Sequence, residues 1–436
     1  VRAGRNRHLA RAGRDRHLAR AVCLAALAAL AIALGAVASG CGGVGVSGAL
    51  GNLSNLLTVY SSLPLQGPSG AASTQIVNGE KLALAEAGGH VGQFKVSYYS
   101  MDDANPKTGR WDPGVTAADA KTAAQDNSAI AYLGDYNSPA SAISLPLVTA
   151  AGILQVSPAS PYVGLTSSLD AGQYEPERFY PTGKRSFGRL MAADPVQAGA
   201  QVQLMKALRV KRVYVLNDED PFQMPLAQIV AGDAEKAGIQ VAGNDGVDTT
   251  TGTEFAGEVH KIAQSGAQAV FFSGGTSAAV VALWRELHAA DPHLYLLGPS
   301  SMVNAAFAQE IGGAAQSTYL STPLLPLNMY PASAQRVFED YRRHFHEAAT
   351  PDALYGYEAM SVVLAAIRKA GTQGNKRPAV IKAFFATHDR DSVLGRYSIQ
   401  PSGDTTLARY GVERIVNGQL SFYGAFDIPE GLLPQR

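Results

Sequence analysis

From residue 56 to residue 301 the chain repeats one unit: a short apolar run, a polar loop rich in Gly, Ser, Pro or Asp, and then a helical run. Thr58-Val59-Tyr60-Ser61 leads into a loop over 63–70. The helix behind it carries Ile76, Ala83, Leu84 and Ala87 on one face and stops at Gly88-Gly89. A strand over 94–99 ends in Asp102-Asp103, and an Ala-rich helix covers 115–127. A third strand over 129–133, a helix over 140–151 and a strand over 153–156 follow, the last ending in Ser157-Pro158-Ala159-Ser160-Pro161. Such βα alternation predicts a parallel sheet covered by helices on both faces. Ligands of such sheets sit beyond the C-terminal ends of the strands, where all these loops fall.

After a connector at 179–182 the alternation starts again. Helices are expected over 196–208, 227–237, 254–265 and 278–289, and strands over 212–216, 269–272 and 294–297. The strand ends carry the loops 217–222, Ser273-Gly274-Gly275 and Gly298-Pro299-Ser300-Ser301. Residues 317–322 read as a strand returning to the first lobe, followed by helices over 332–347, 354–370 and 378–387. The tail alternates like antiparallel strands, with Asn417-Gly418 as a hairpin turn. Two similar α/β lobes with facing loops make a cleft, a common place for a small molecule. Several crossings between them imply a hinge.

The most informative loop is Gly134-Asp135-Tyr136-Asn137-Ser138-Pro139-Ala140-Ser141. Ser138 suits an N-cap and Pro139 the first helical position. The amides of Ala140 and Ser141 would then be free at the positive end of a helix dipole, which suits a carboxylate or other small anion. A capped helix that binds nothing reads the same way.

Charge and cysteines bound the rest. The chain has 36 Lys+Arg and 36 Asp+Glu, but its first twenty residues hold seven Arg and one Asp, so the part from Cys41 onward has 29 against 35, near −6. An acidic body without a basic stripe argues against nucleic acid. The two cysteines, Cys23 and Cys41, both lie in the leader, so the body has neither disulfide nor thiolate chemistry. Residues 2–10 and 11–19 are a near-identical basic repeat, and 21–37 is an uninterrupted apolar run. Ala38-Ser39-Gly40-Cys41 resembles a bacterial lipobox, with Cys41 as the lipidated residue and Ala38 where Leu is usual. An uncleaved anchor is the alternative, and either places the body outside the cytoplasm. The G-x-G-x-x-G match at 40–45 follows no strand and opens no helix, so it is not a dinucleotide site. Residues 1–41 are thus a leader and 42–55 a flexible Gly/Ser/Asn-rich tether.

Short matches in a fixed order then point to a family. Leu65-Gln66-Gly67-Pro68 resembles P-L-S-G-P, Ala87-Gly88-Gly89 resembles A-x-G-G, and Asp102-Asp103-Ala104-Asn105-Pro106 resembles D-D-x-x-D-P. Gly134 to Ser141 resembles G-x-x-x-S-x-x-T, and Ile153 to Ala159 resembles G-I-L-x-I-S-P-A. Over roughly 56–426 the chain resembles the Leu/Ile/Val-binding family of ABC-transporter substrate-binding proteins. That resemblance implies a type I periplasmic binding fold, with two Rossmann-like lobes of parallel sheets flanked by helices and joined by a multi-crossover hinge. Lobe 1 would be 56–180 plus 323–392, and lobe 2 would be 181–322 plus 393–436.

The resemblance further implies an amino-acid-like or amide-like ligand delivered to an ABC permease, with a lipid anchor at Cys41. Ser138 and the backbone of Ala159, Ser160 and Pro161 would hold the ligand carboxylate. Pro161 stands where many members carry Thr, unless Ser160 supplies the hydroxyl. Phe222 matches a Tyr that helps close the cleft, and Gln66, Tyr136 and Gly275 complete the lining. Ser300 stands where members often place an acid for the ligand ammonium. A buried ammonium without a carboxylate is costly, so Asp218, Glu219 or Asp220 would have to substitute. No cofactor or metal is implied.

A sensor handing its closed state to a signalling partner has the same sequence signature. Less in keeping with the sequence is an extracytoplasmic hydrolase: it holds no G-x-S-x-G, H-E-x-x-H or P-loop motif. His344 and His346 fall on opposite sides of a predicted helix, poor geometry for one metal.

Overall fold

The computed structural model describes residues 55–250 and 254–433. The leader, the tether up to residue 54 and Cys41 lie outside the described residues. Two sheets organise the body. The first has six strands in the order β2-β3-β1-β4-β5-β6. Its centre is β1 (Leu56–Leu63), flanked by β3 (Phe94–Asp102) and β4 (Ala129–Leu133), then β5 (Leu154–Ser157) and β6 (Phe187–Arg189). These pair in parallel, and only the two-residue β2 (His90–Val91) is antiparallel, in a hairpin with β3.

Alternating side chains divide this sheet between two helical layers. Ala131 and Leu133 face a core shared with α1 (Gly70–Glu86), α10 (Asp352–Ala370) and α11 (Arg377–Phe385). Ala129 and Tyr132 face the opposite core, with α2 (Pro113–Gln125) and α3 (Ser138–Ala150). Helices α1 and α10 meet backbone to backbone. A Cβ on Gly79 would fall 2.0 Å from the Ala353 carbonyl oxygen, and one on Gly356 1.9 Å from that of Ile76, so only glycine fits at either point.

The second sheet has seven strands in the order β15-β14-β11-β10-β9-β7-β8. β7 (Arg212–Asn217), β8 (Gln240–Gly246), β9 (Ala269–Ser273), β10 (Tyr295–Gly298) and β11 (Thr318–Thr322) run parallel. β14 (Arg409–Val416) and β15 (Gln419–Asp427) add an antiparallel edge. Val213 and Val215 pack toward α4 (Asp194–Ala207) and α5 (Met224–Lys236), Tyr214 and Leu216 toward α6 (Ala256–Ser265) and α7 (Ala278–Ala290). Both sheets are therefore mixed, each a parallel core with an antiparallel edge.

One strand and two boundaries differ from the sequence expectation. The strand Thr318–Thr322 stays in the second sheet between β10 and β14, so the crossing follows it. β6 pairs with β5, which moves the first crossing from residue 180 to beyond Arg189. Tyr397 and Ile399 are buried in the first-lobe core, which moves the third crossing beyond residue 399. In each case pairing or burial of a short segment outweighs a local change of composition.

Candidate functional site

The first-lobe wall is built on Asp135, whose side chain is fully buried at the end of β4. It accepts from Tyr132 Oη at 3.0 Å, from Gln155 Nε2 at 3.2 Å and from Ser144 Oγ. Its amide donates to Ser141 Oγ at 3.2 Å, and its carbonyl accepts from Ser157 Oγ at 2.8 Å and Ser160 Oγ at 3.0 Å. One residue thus ties the start of α3 to the loop after β5. Burial pushes its carboxyl up to about 7, against hydrogen bonds that pull it down. Asp103 lies close enough to feel that charge; burial first and Asp135 second push it up to about 8.

The start of α3 is shifted by one residue from the sequence expectation. Asn137 is the N-cap residue, Ser138 is the first helical residue and Pro139 the second. The Ser141 amide donates to the Asn137 carbonyl at 3.0 Å and is not free. Among the described residues the amides of Ser138 and Ala140 have no acceptor. The Ser138 hydroxyl oxygen accepts from the Tyr162 amide at 3.2 Å, which leaves its proton to donate.

The loop after β5 is clamped from behind. Arg189, fully buried, donates to the carbonyls of Ser160 at 2.8 Å and Tyr162 at 2.7 Å, and the Asp194 amide donates to that of Pro161 at 2.9 Å. Arg189 is itself held by Asp404 at 2.6 Å, from the third crossing. Asp194, buried and near Arg189, accepts from the Val163 amide at 3.2 Å, and burial pushes its carboxyl up to about 7.

The donors of this loop are also spent. The amides of Ala159 and Ser160 both go to Ser157 Oγ, at 3.1 and 2.9 Å, and the Ser160 hydroxyl is buried against Ser141 Oγ at 2.8 Å. Ala159, Ser160 and Pro161 therefore offer shape but no free amide, a correction to the sequence expectation. The residue that reaches across is Tyr162. Its ring meets Phe222 of the second lobe edge to face, with centroids 4.9 Å apart.

The second-lobe wall has a different hub. Gln197 on α4 accepts through Oε1 from the Ser300 amide at 2.8 Å, Ser321 Oγ at 3.1 Å and Tyr410 Oη at 3.1 Å. This fixes the loop that follows β10. Asp218, half-buried at the end of β7, accepts from the Gly275 amide and the Asp220 amide, each at 3.2 Å. Burial raises its carboxyl above the ordinary range. Glu219 and Asp220 are exposed, and Asp220 accepts from the Phe222 amide at 2.8 Å.

The structure thus brings Ser138, Pro161 and Phe222 together through Tyr162, and joins Gly275 to Asp218. Ser300 is anchored separately, on Gln197. Gln66 is exposed and donates to Asp102 at 2.6 Å, while Tyr136 packs against Leu63, Ile76 and Val77. A cavity of 630 Å³ between the lobes lies beside Gln66 and Gly275, with Pro68, Ser69 and Trp111 on one side and Ser277, Asn304 and Phe307 on the other. It is lined by none of the expected site residues. Tyr162, Gln197 and Arg189 escaped sequence reasoning: the first is an aromatic directly after a loop already singled out, but nothing local marks the other two. Among the described residues no group of His, Cys, Asp or Glu could hold a metal ion.

Two α/β lobes, three crossings and a cleft between strand ends define a two-lobed solute-binding protein. The model of the periplasmic binding protein family matches residues 61–418, and the chain belongs to that family. Within it the chain is similar to the Leu/Ile/Val-binding branch. It is 26% identical to Leu/Ile/Val-binding protein homolog 3 of Brucella melitensis over 78% of this chain and 86% of that one. A leucine-binding protein of Thermotoga maritima superposes with a TM-score of 0.68 at 20% identity, covering 85% of this chain and 99% of that one. A solute-binding protein of R. palustris in complex with benzoate gives 0.63 at 15% identity, covering 85% and 96%. The protein is thus an extracytoplasmic solute-binding protein of that family.

Proposed function

We propose that the cleft captures a small solute with a carboxylate, of the amino-acid class, at the N-terminus of α3. The observation that carries this is the donor set of Ser138 N–H, Ser138 O–H and Ala140 N–H, one residue away from the interlobe contact of Tyr162 with Phe222. Three donors at the positive end of a helix suit one carboxylate. In this reading Asp218 takes the ammonium in place of the acid missing at Ser300. Of the three acids in its loop it is the half-buried one, and its two backbone bonds leave lone pairs to spare.

Pro161, Phe222 and Gly275 shape the remainder, with Gln66 and Tyr136 at the margin. A ligand touching both walls favours closure, because only differential affinity shifts that equilibrium. The closed form would dock on the permease from a lipid anchor at Cys41. The names of the relatives agree with a carboxylate-bearing ligand, since one is called leucine-binding and another holds benzoate. Ser300 favours a second reading, a carboxylate without an ammonium, as in that benzoate complex.

A thermal-shift screen of aliphatic amino acids, their amides and aromatic carboxylates separates these readings. A ligand at a hundred times its dissociation constant adds about 2.7 kcal/mol. Stabilisation by amino acids that is lost in Asp218→Asn supports the first reading. Stabilisation by aromatic carboxylates alone supports the second. No response to any carboxylate refutes both.

A further inference from the structure

A second cavity, of 430 Å³, opens where the three crossings between the lobes converge. Ala192 comes from the first crossing, Pro323 and Leu325 from the second, and Thr406 to Arg409 from the third. Its volume lies within the range of small-molecule pockets. Its floor is apolar and aromatic, with Tyr330 and Tyr355 both buried and Leu325 and Leu407 beside them. Met329 of its lining and the nearby Leu327 stand 38% and 41% exposed, so the apolar surface continues to the rim.

The polar groups of the cavity favour an anion. Arg396 and Arg409 both line it, against the single carboxylate of Asp427. Arg409 and Asp427 are loosely paired at 3.6 Å, and Asp427 is 81% exposed, so Arg409 keeps donors to spare. Arg396 is no more tightly held, 3.6 Å from an exposed Asp389. Tyr330 Oη accepts from the Leu325 amide at 3.1 Å, and among the described residues its own proton has no acceptor. The cavity thus joins an apolar body to two guanidinium groups and a spare hydroxyl donor. None of the residues proposed for the interlobe ligand lines it.

We propose that this cavity at the crossings is a second binding site, for a small monocarboxylate with an apolar body. Its walls come from both lobes and all three crossings, so its shape changes with the hinge angle. Its occupant and the ligand of the cleft are therefore coupled, and the coupling is reciprocal.

The test is a calorimetric titration of decanoate and 2-naphthoate into the full chain, with decan-1-ol as the uncharged control. The expected result is one saturable site for at least one acid, with the alcohol at least tenfold weaker. The double variant Arg396→Gln/Arg409→Gln, exposed at both positions, weakens the acid tenfold or more without lowering the melting temperature. Leu407→Trp, which fills the cavity, removes binding of all three probes. Saturating acid also shifts the dissociation constant of any cleft ligand by fivefold or more in the parent protein and not in Leu407→Trp. No saturable binding, equal binding of acid and alcohol, or binding that survives both variants overturns the proposal.

Discussion

The two walls of the cleft are made by opposite strategies. On the first, the organising acid is Asp135, fully buried, with its carboxylate, amide and carbonyl all engaged. On the second, the organising group is the side-chain amide of Gln197, and Asp218 is half-buried on the loop after β7. The first wall is therefore fixed by the fold before any ligand arrives. It presents the N-terminal end of a helix, which suits a carboxylate whatever that carboxylate is attached to. The second wall carries the exposed acids, the Gly-rich loop and a half-buried Phe222. In the proposed function, general anchoring falls to the first lobe and discrimination to the second.

That division can be broken at its strongest point first. Asp135→Ala leaves Tyr132, Ser144 and Gln155 without their shared acceptor in a buried site, at a cost of about 3 kcal/mol or more. Urea unfolding should show it as a lowered midpoint, and carboxylate binding should vanish in parallel. Gln197→Leu unpairs the Ser300 amide and Tyr410, leaves Ser321 only its long contact to the Gly298 carbonyl, and should cost about 2 kcal/mol while leaving the first wall intact. If Gln197→Leu proved costlier than Asp135→Ala, the first wall would not be the more rigid one.

The pH dependence of stability carries a contribution from the first wall, beside those of Asp194, Asp218 and Glu80, whose carboxyls burial also raises. Asp103 and Asp135 are pushed up to about 8 and about 7, whereas an unfolded Asp titrates near ~3.9. Between those values the folded state holds protons that the unfolded state has released. Their contribution is fully present below pH ~3.9 and is lost as pH rises through 7 and 8, at about 1.4 kcal/mol per unit for each group. The body should thus resist urea better at pH 5.5 than at pH 8.5, and Asp103→Asn should reduce that difference. The smallest effect is expected at the contact between the walls. Phe222→Ala removes an aromatic pair worth about 0.5–1.5 kcal/mol beyond its buried area. A titration of the cleft ligand should show a loss of up to about tenfold, with urea stability lowered by about 1 kcal/mol.

What could be read in the sequence follows the same physical divide. Central strands such as β4 and β9 are continuous apolar runs and could be read directly. β8 escaped because an edge strand of Gln, Gly, Asn and Asp, half-exposed, carries no such signal. β6 escaped because three residues are too few to show a period. The helix start at 138 was legible to within one residue, and the shift decided which amides are free. The Asp135 network was not legible, because its members lie 3 to 25 residues away along the chain and meet only in the folded state.

The most direct test of a ligand held between these walls is small-angle X-ray scattering of the full chain, with and without the strongest carboxylate from the thermal screen. The radius of gyration should fall on saturation in the parent protein, and should stay at its unliganded value in Ser138→Ala at the same ligand concentration. A parent protein that binds the carboxylate to saturation with no change in radius, or a Ser138→Ala variant that closes as readily as the parent, would contradict capture at the N-terminus of α3.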